Sequence, residues 1–237
     1  MRLISWNCQG AFRKKAGYIL RQKPDILIVQ ECECTEKLLF ELTAQKPTDS
    51  HWYGSNLHKG VGIFSYSGFR FELLNIFNPR FRYILPLRVT GNGQMFTILA
   101  IWAMDDKENR KASYVGQIWQ AIHFYAELLD DTTILIGDFN SNTIWDRKDR
   151  EWNHSDLVLA LAGKNIHSIY HTHLRQEQGK EADPTFFLQR NKKKPYHLDY
   201  CFSSKNLCDK VQQVSIGSFR SWIKHSDHLP LIVDFNL

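Results

Sequence analysis

The sequence predicts an α+β protein, a four-layer α/β/β/α sandwich in which two packed mixed β-sheets are flanked by helices. Three observations lead there. Strand-like and helix-like segments alternate, and the order is faintly doubled: strands and helices, then strands and helices again. The segment Asp25–Gln30 (DILIVQ) is a short, continuous apolar run, the look of a strand covered on both faces. No linker, low-complexity tract or strong repeat divides the chain, so residues 1–237 read as one domain with its sheets packed together.

Taken in order, Arg2–Asn7 reads as a first strand, and Ala11–Gln22 carries apolar residues at helical spacing (Phe12, Ala16, Ile19, Leu20). Pro24 stops that helix before Asp25–Gln30. Thr35–Ala44 reads as a second helix. The period then changes, with strands expected at Val61–Tyr66, Phe69–Phe77, Phe81–Val89 and Phe96–Trp102, the last two joined by a hairpin at Gly91-Asn92-Gly93. Lys111–Leu129 is the longest helical pattern, with Val115, Ile118, Trp119, Ile122, Tyr125 and Leu129 as its buried stripe. A strand at Thr132–Ile136 runs into Gly137-Asp138-Phe139-Asn140, and a helix follows near His154–Ala162. Strands are expected at Thr185–Leu188, His197–Phe202, Val211–Ile216 and Leu229–Asp234.

Composition narrows the class. Hydrophobic residues at 43% and charged residues at 23% exclude a disordered, collagen-like or coiled-coil chain. A formal charge of +5 permits an anionic partner without demanding one. Five cysteines with no CxxC pair argue against a disulfide framework and a structural zinc site; reduced thiols in a cytoplasmic protein are expected. Met1 leads directly into a strand-like segment, with no secretion signal, and no apolar run approaches the roughly 18 residues of a membrane span. A monomer is expected.

Four short polar stretches each end or adjoin an apolar strand: Trp6-Asn7, Gln30-Glu31, Gly137-Asp138-Phe139-Asn140 and Ser226-Asp227-His228. Asp199, in His197-Leu198-Asp199-Tyr200, makes a fifth. Singly, such residues cap helices or make turns. Glu31 is harder to dismiss, because a carboxylate closing so apolar a strand must be paired, hydrogen-bonded or metal-bound. As a set, Asn7, Glu31, Asp138, Asn140, Asp199, Asp227 and His228 supply hard oxygen donors and one imidazole. Were the strand ends to converge, this inventory would suit Mg²⁺ or Mn²⁺ rather than zinc, and phosphoester hydrolysis.

WN, QE, GDFN, LDY and SDH, in that order from Trp6 to His228, resemble the endonuclease/exonuclease/phosphatase superfamily, the fold of deoxyribonuclease I and of exonuclease III-class abasic-site endonucleases. Gly60-Val61-Gly62-Ile63 resembles another stretch common in that family. The resemblance implies a Mg²⁺- or Mn²⁺-dependent phosphodiesterase. Glu31 is then the main metal ligand, with Asn7 as ligand or phosphate contact and Asp227 beside the metal. Asp138 orients or deprotonates the attacking water, and Asn140 positions it. Asp199 orients His228, which touches the scissile phosphate. Whether Asp138 or the Asp199–His228 pair is the base stays open. The sequence departs from the family at Trp102, where nucleases often carry Tyr or His, and at Gln9, where abasic-site enzymes carry an acid. Trp102 is either a phosphate contact or plain core.

For the substrate, Lys192, Lys193 and Lys194 lie in a basic loop before the strand carrying Asp199. They are read as phosphate contacts, and a solvated loop is the alternative. Nucleic acid is thus the expected partner. The competing readings are an enzyme of the same fold acting on a small-molecule or lipid phosphoester, and a catalytically inactive binding module.

Overall fold

A computed structural model describes residues 1–40 and 45–237. Its strands are β1 (Arg2–Asn7), β2 (Ile26–Cys32), β3 (Asp49–Asn56), β4 (Lys59–Ser65), β5 (Arg70–Leu73), β6 (Ile84–Gly91), β7 (Gln94–Trp102), β8 (Thr133–Asp138), β9 (Ile166–Ser168), β10 (Phe186–Phe187), β11 (Pro195–Tyr196), β12 (Asp199–Ser204), β13 (Val211–Ile216) and β14 (Leu231–Phe235). They build one six-stranded sheet, β13-β14-β1-β2-β4-β3, a second, β5-β6-β7-β8-β12-β9, and a two-stranded ribbon of β10 and β11. Each large sheet holds one parallel pair among antiparallel neighbours, β1 with β2 and β7 with β8. This shared pattern is the physical content of the doubling in the sequence.

Period-two alternation builds the layers. Leu3, Ile26 and Ile28 from one sheet meet Ile98, Ala100, Ile134 and Ile136 from the other in a common inter-sheet core. The intervening residues point outward. Ile4, Trp6, Leu27 and Val29 pack under Phe12, Ala16 and Ile19. Leu99, Ile101 and Leu135 pack under Val115, Ile118, Ile122, Leu157 and Leu161. Both faces of the central strands are therefore covered, which explains the unbroken apolar run at β2. Each fully buried Leu, Ile or Val contributes about 1.5–3 kcal/mol to this packing.

The helices are α1 (Ala16–Leu20), α2 (Thr35–Leu38), α3 (Val115–Phe124), α4 (His154–Ala162), α5 (Ile169–Leu174), α6 (Lys205–Cys208) and α7 (Phe219–Trp222). The expected helix over Ala11–Gln22 is broken: Phe12–Lys14 is a 3-10 turn, and Lys15, at φ −121°, separates it from α1. Of Thr35–Ala44, α2 is formed, and residues 41–44 lie outside the described residues. The expected Lys111–Leu129 helix shortens to α3, because Tyr114 has positive φ before it and a 3-10 turn, Ala126–Leu128, follows it. The strand expected at Phe69–Phe77 shrinks to β5, and Thr185–Leu188 to β10. β3, β9, β11, α5, α6 and α7 lie outside the expected elements. β3 is a polar edge strand paired only with β4. The others are short.

All five cysteines are free, and all but Cys208 are buried. Among the described residues no helix is long and apolar enough to cross a membrane.

Candidate active site

The two parallel pairs end side by side. β1 delivers Asn7 and β2 runs on to Glu31, with Asn7 in register with Gln30. β7 delivers Trp102 and β8 Asp138, which are register partners. Antiparallel β12 enters at the same edge, so that Asp199 faces Asp138 directly across the strands. The loop before β14 adds Asp227 and His228. Residues far apart in sequence thus meet: Asn7 Nδ2 donates to Asp138 Oδ2 at 2.9 Å.

Local chemistry fixes each group. Gly137 is required, because at its φ of +148° a Cβ would stand 1.8 Å from the Ile101 carbonyl oxygen. Only glycine lets β8 pass that close to β7 and present Asp138. Asp138 Oδ1 accepts from Asn140 N at 2.9 Å, and Oδ2 also accepts from Asn140 Nδ2 at 3.1 Å. Asn140 is anchored by its bond to the Ala103 carbonyl at 2.9 Å. Thr185 Oγ1 accepts from the backbone N–H of Leu198 and Asp199, pinning the start of β12. His228 is held by Trp6, whose indole donates to its carbonyl oxygen at 3.0 Å. Ser226 Oγ ties the loop down, donating to the Asn7 carbonyl at 2.7 Å and accepting from His228 N at 3.0 Å.

Asp138, Asp199 and His228 form the tight centre. His228 Nδ1 lies 2.9 Å from Asp199 Oδ2, and Nε2 lies 3.9 Å from Asp138 Oδ2. Side-chain donor atoms of all three fall within 4.8 Å of one another. Asp138 and Asp199 are fully buried, and His228 is 5% exposed. Burial is the largest influence on Asp138 and raises its carboxyl well above the ordinary range; His228 pulls it down, and Asp199 pushes it up. Burial also opposes the charge on His228, but Asp199 and Asp138 outweigh it and hold the imidazolium above its usual range. Asp199 Oδ1 is buried without a partner among the described residues.

The residues expected to hold metal are placed differently. Glu31 and Asp227 do not join the tight group. Glu31 occupies a β-bulge, with φ +57°, where the register of β2 against β4 shifts between Gln30 and Cys32. Bulges re-aim a side chain, and the Glu31 carboxylate meets Lys59 Nζ at 2.7 Å. Its other oxygen has no hydrogen-bond partner among the described residues. Asp227 Oδ2 accepts from Gln9 Nε2 at 2.8 Å, and Gln9 Oε1 in turn takes Arg190. Asn7 Oδ1 accepts from Gln9 N.

Trp102 is only 5% exposed and belongs to the inter-sheet core, stacked on Tyr83 at a ring separation of 4.8 Å. Lys192, Lys193 and Lys194 are exposed on the tip joining β10 to β11, with Lys192 Nζ 5.9 Å from the Phe219 ring. That ribbon is attached to the site: Phe187 N donates to the Asp227 carbonyl, and the Phe186 ring lies 4.6 Å from His228.

Sequence reasoning missed Lys59 and the aromatic surroundings. Lys59 directly precedes the Gly60–Ile63 stretch, but only the bulge opposite brings it to Glu31. Beside Asn140 opens a cavity of about 410 Å³ walled by Tyr114, Trp145, Phe186, Tyr196 and Leu198. Nothing in the local sequence marks those side chains as neighbours.

The match to known proteins follows this layout. The family model of the Endonuclease/Exonuclease/phosphatase family matches residues 4–228. The chain matches no curated protein sequence. Among solved structures it is similar to an AP endonuclease from Archaeoglobus fulgidus, at 17% identity and a TM-score of 0.72, over 100% of both chains. It is similar to the 3′ phosphatase NExo from Neisseria bound to a product DNA hairpin, at 19% identity and a TM-score of 0.68, again over 100% of both. It is also similar to D. rerio TDP2 complexed with single-strand DNA product, at 19% identity and a TM-score of 0.67, over 100% of this chain and 99% of that one. These likenesses establish the fold, and the match over residues 4–228 shows that the chain belongs to the endonuclease/exonuclease/phosphatase family.

Proposed function

We propose that the protein is a divalent-metal-dependent phosphodiesterase that cleaves nucleic acid by attack of water on phosphorus. The observation that carries this reading is the buried Asp138–Asp199–His228 centre, assembled at the converging strand ends of a chain of this family. Asp138, its carboxyl raised by burial, takes a proton from water. The water oxygen bonds to phosphorus, the P–O ester bond breaks, and its electron pair leaves with the departing oxygen, which gains a proton from solvent. Asp199 orients the His228 ring and keeps it charged. The imidazolium then faces the negative charge that grows on the phosphoryl oxygens. Asn7 and Asn140 hold Asp138 in place.

The donor chemistry fits a hard cation. Glu31 offers an open carboxylate oxygen, and its other oxygen already draws the Lys59 ammonium. Glu31, with Asn7 and Asp227, would hold Mg²⁺ or Mn²⁺, whose chemistry is to neutralise phosphoryl charge. His228 is engaged with Asp199 and charged, which suits it to the phosphate rather than to a metal.

Nucleic acid as substrate is supported by the ribbon that carries Lys192–Lys194 next to Asp227 and His228, and by the DNA bound to the Neisseria and D. rerio proteins. The free cysteines suit the reducing cytoplasm. Supercoiled plasmid, single-stranded DNA and RNA, each incubated with Mg²⁺ and with EDTA, test this reading. Cleavage of at least one polymer is expected with Mg²⁺, and none with EDTA or after Asp138→Asn. A phosphoinositide cleaved in place of every polymer would contradict it.

A further inference from the structure

Tyr114 holds an unfavourable backbone conformation and lines the cavity beside the reaction centre. Its φ of 49° and ψ of −117° fall where residues with a side chain rarely sit. Such conformations cost about 1–3 kcal/mol and cluster at functional sites. Glycine would adopt this geometry freely, yet the position carries an aromatic ring. The segment is firmly tied: Tyr114 N donates to the Met104 carbonyl at 2.8 Å, and Tyr114 O accepts from Gln117 N at 3.0 Å.

The ring is not consumed by the core. Tyr114 is 41% exposed and shares the 410 Å³ cavity with Asn140 and Phe186. Asn140 is bonded to Asp138, and the Phe186 ring lies 4.6 Å from His228, so this cavity adjoins both reacting groups. The Tyr114 hydroxyl has no hydrogen-bond partner among the described residues. Burial, then the negative charges of Asp105 and Asp138, raise its pKa, so the phenol keeps its proton and remains a donor. Trp102, next to Asp138 in the sheet, is already committed to the inter-sheet core against Tyr83.

We propose that Tyr114 is a further catalytic residue, whose phenol O–H donates a hydrogen bond to a non-bridging oxygen of the scissile phosphoryl group. The inference rests on the reading of this site as a phosphodiesterase centre. Tyr114 transfers no proton; its bond strengthens as negative charge builds on that oxygen, and the strained backbone sets the direction of the side chain.

The test uses the full chain with Mg²⁺ and a fluorescein-labelled single-stranded DNA oligonucleotide, comparing the parent with Tyr114→Phe and Tyr114→Gly. For Tyr114→Phe, kcat should fall at least about tenfold, at the low end of the effect of removing a charge-stabilising donor. KM, the melting temperature and the shape of the pH profile should stay as in the parent. Tyr114→Gly should lose at least as much kcat while melting at or above the parent temperature, because the strain is relieved. Parental kcat in Tyr114→Phe overturns the proposal, whatever Tyr114→Gly does, since the hydroxyl then contributes nothing. A parent protein that cuts no nucleic acid overturns the reading of the whole site, and the role of Tyr114 with it. A parent that cuts alongside an equally active Tyr114→Phe overturns the role of Tyr114 alone.

Discussion

Asp138 and Asp199 are register partners on antiparallel strands, two buried carboxylates facing each other across β8 and β12. Two like charges in a low dielectric repel unless a cation stands by, and His228 meets both, at 2.9 Å from Asp199 and 3.9 Å from Asp138. The chemistry proposed above follows from this triangle, because Asp199 and Asp138 hold His228 charged, and burial and Asp199 raise Asp138.

The pH–rate profile should therefore be bell-shaped, with apparent pKa values that belong to the group. Activity needs Asp138 deprotonated and His228 protonated. The rate should rise with pH through a limb above the ordinary carboxylate range and fall through one above the ordinary histidine range. Asp199→Asn removes a negative charge that raises both groups, so both limbs should move to lower pH. Limbs that stay in place would show that Asp199 is not coupled to them.

Asp138→Asn and His228→Ala should each lower kcat at least about 10²-fold, the scale for a positioned acid–base or charge-stabilising group. Asp199→Asn should cost less alone, and adding it to His228→Ala should cost little more, since the pair acts as a unit. Losses that multiply in the double variant would separate the two residues. Trp102→Phe should leave the shape of the pH profile unchanged and lower the melting temperature, because the indole packs against Tyr83.

Much of this was legible in the sequence, for definite reasons. β1, α4 and β13 fall where periodicity and turn residues placed them, and of the polar strand ends Asp138, Asp199 and His228 come within 4.8 Å of one another. Other features arise only from tertiary contact. β3 is mostly polar, and among the described strands its ladder partner is β4, which lies after it in the chain. The bulge at Glu31 appears only when β2 pairs with β4, and it gives Glu31 to Lys59. The bond from Asn7 to Asp138 spans 131 positions. Trp102 packs in the inter-sheet core against Tyr83, which comes from the bend before β6, a contact that local sequence does not mark.

Away from the centre, His154 is fully buried, and burial lowers its pKa from 6.5 to about 4. A histidine depressed in the folded state favours folding fully above the unfolded value of 6.5, and that stability is lost as pH falls towards the folded value. The two values bound the loss at about 3 kcal/mol. His154→Gln should therefore show a smaller drop in melting temperature between pH 7 and pH 4.5 than the parent. An identical drop would mean that the protonation of His154 does not govern acid sensitivity.

Replacing Lys192, Lys193 and Lys194 with serine should flatten the salt dependence of duplex DNA binding by up to about 2.7 units, at about 0.9 per phosphate contact. The loss should be similar across sequences, because phosphate contacts carry no base information. Parental binding at every salt concentration would make the tip of the β10–β11 ribbon a solvated surface.

The most direct measurement pairs metal binding with cleavage in the same samples. Mn²⁺ affinity is followed by calorimetry, and hydrolysis of single-stranded DNA, duplex DNA and RNA is followed with the same ion, for the parent, Glu31→Gln and Asp138→Asn. The parent should bind Mn²⁺ and cut at least one polymer, with EDTA abolishing the cut. Glu31→Gln should lose affinity and cleavage together, and Asp138→Asn should cut at least about 10²-fold more slowly. Cleavage that survives EDTA, or that persists at the parental rate in Asp138→Asn, would contradict a metal-dependent hydrolysis centred on Asp138.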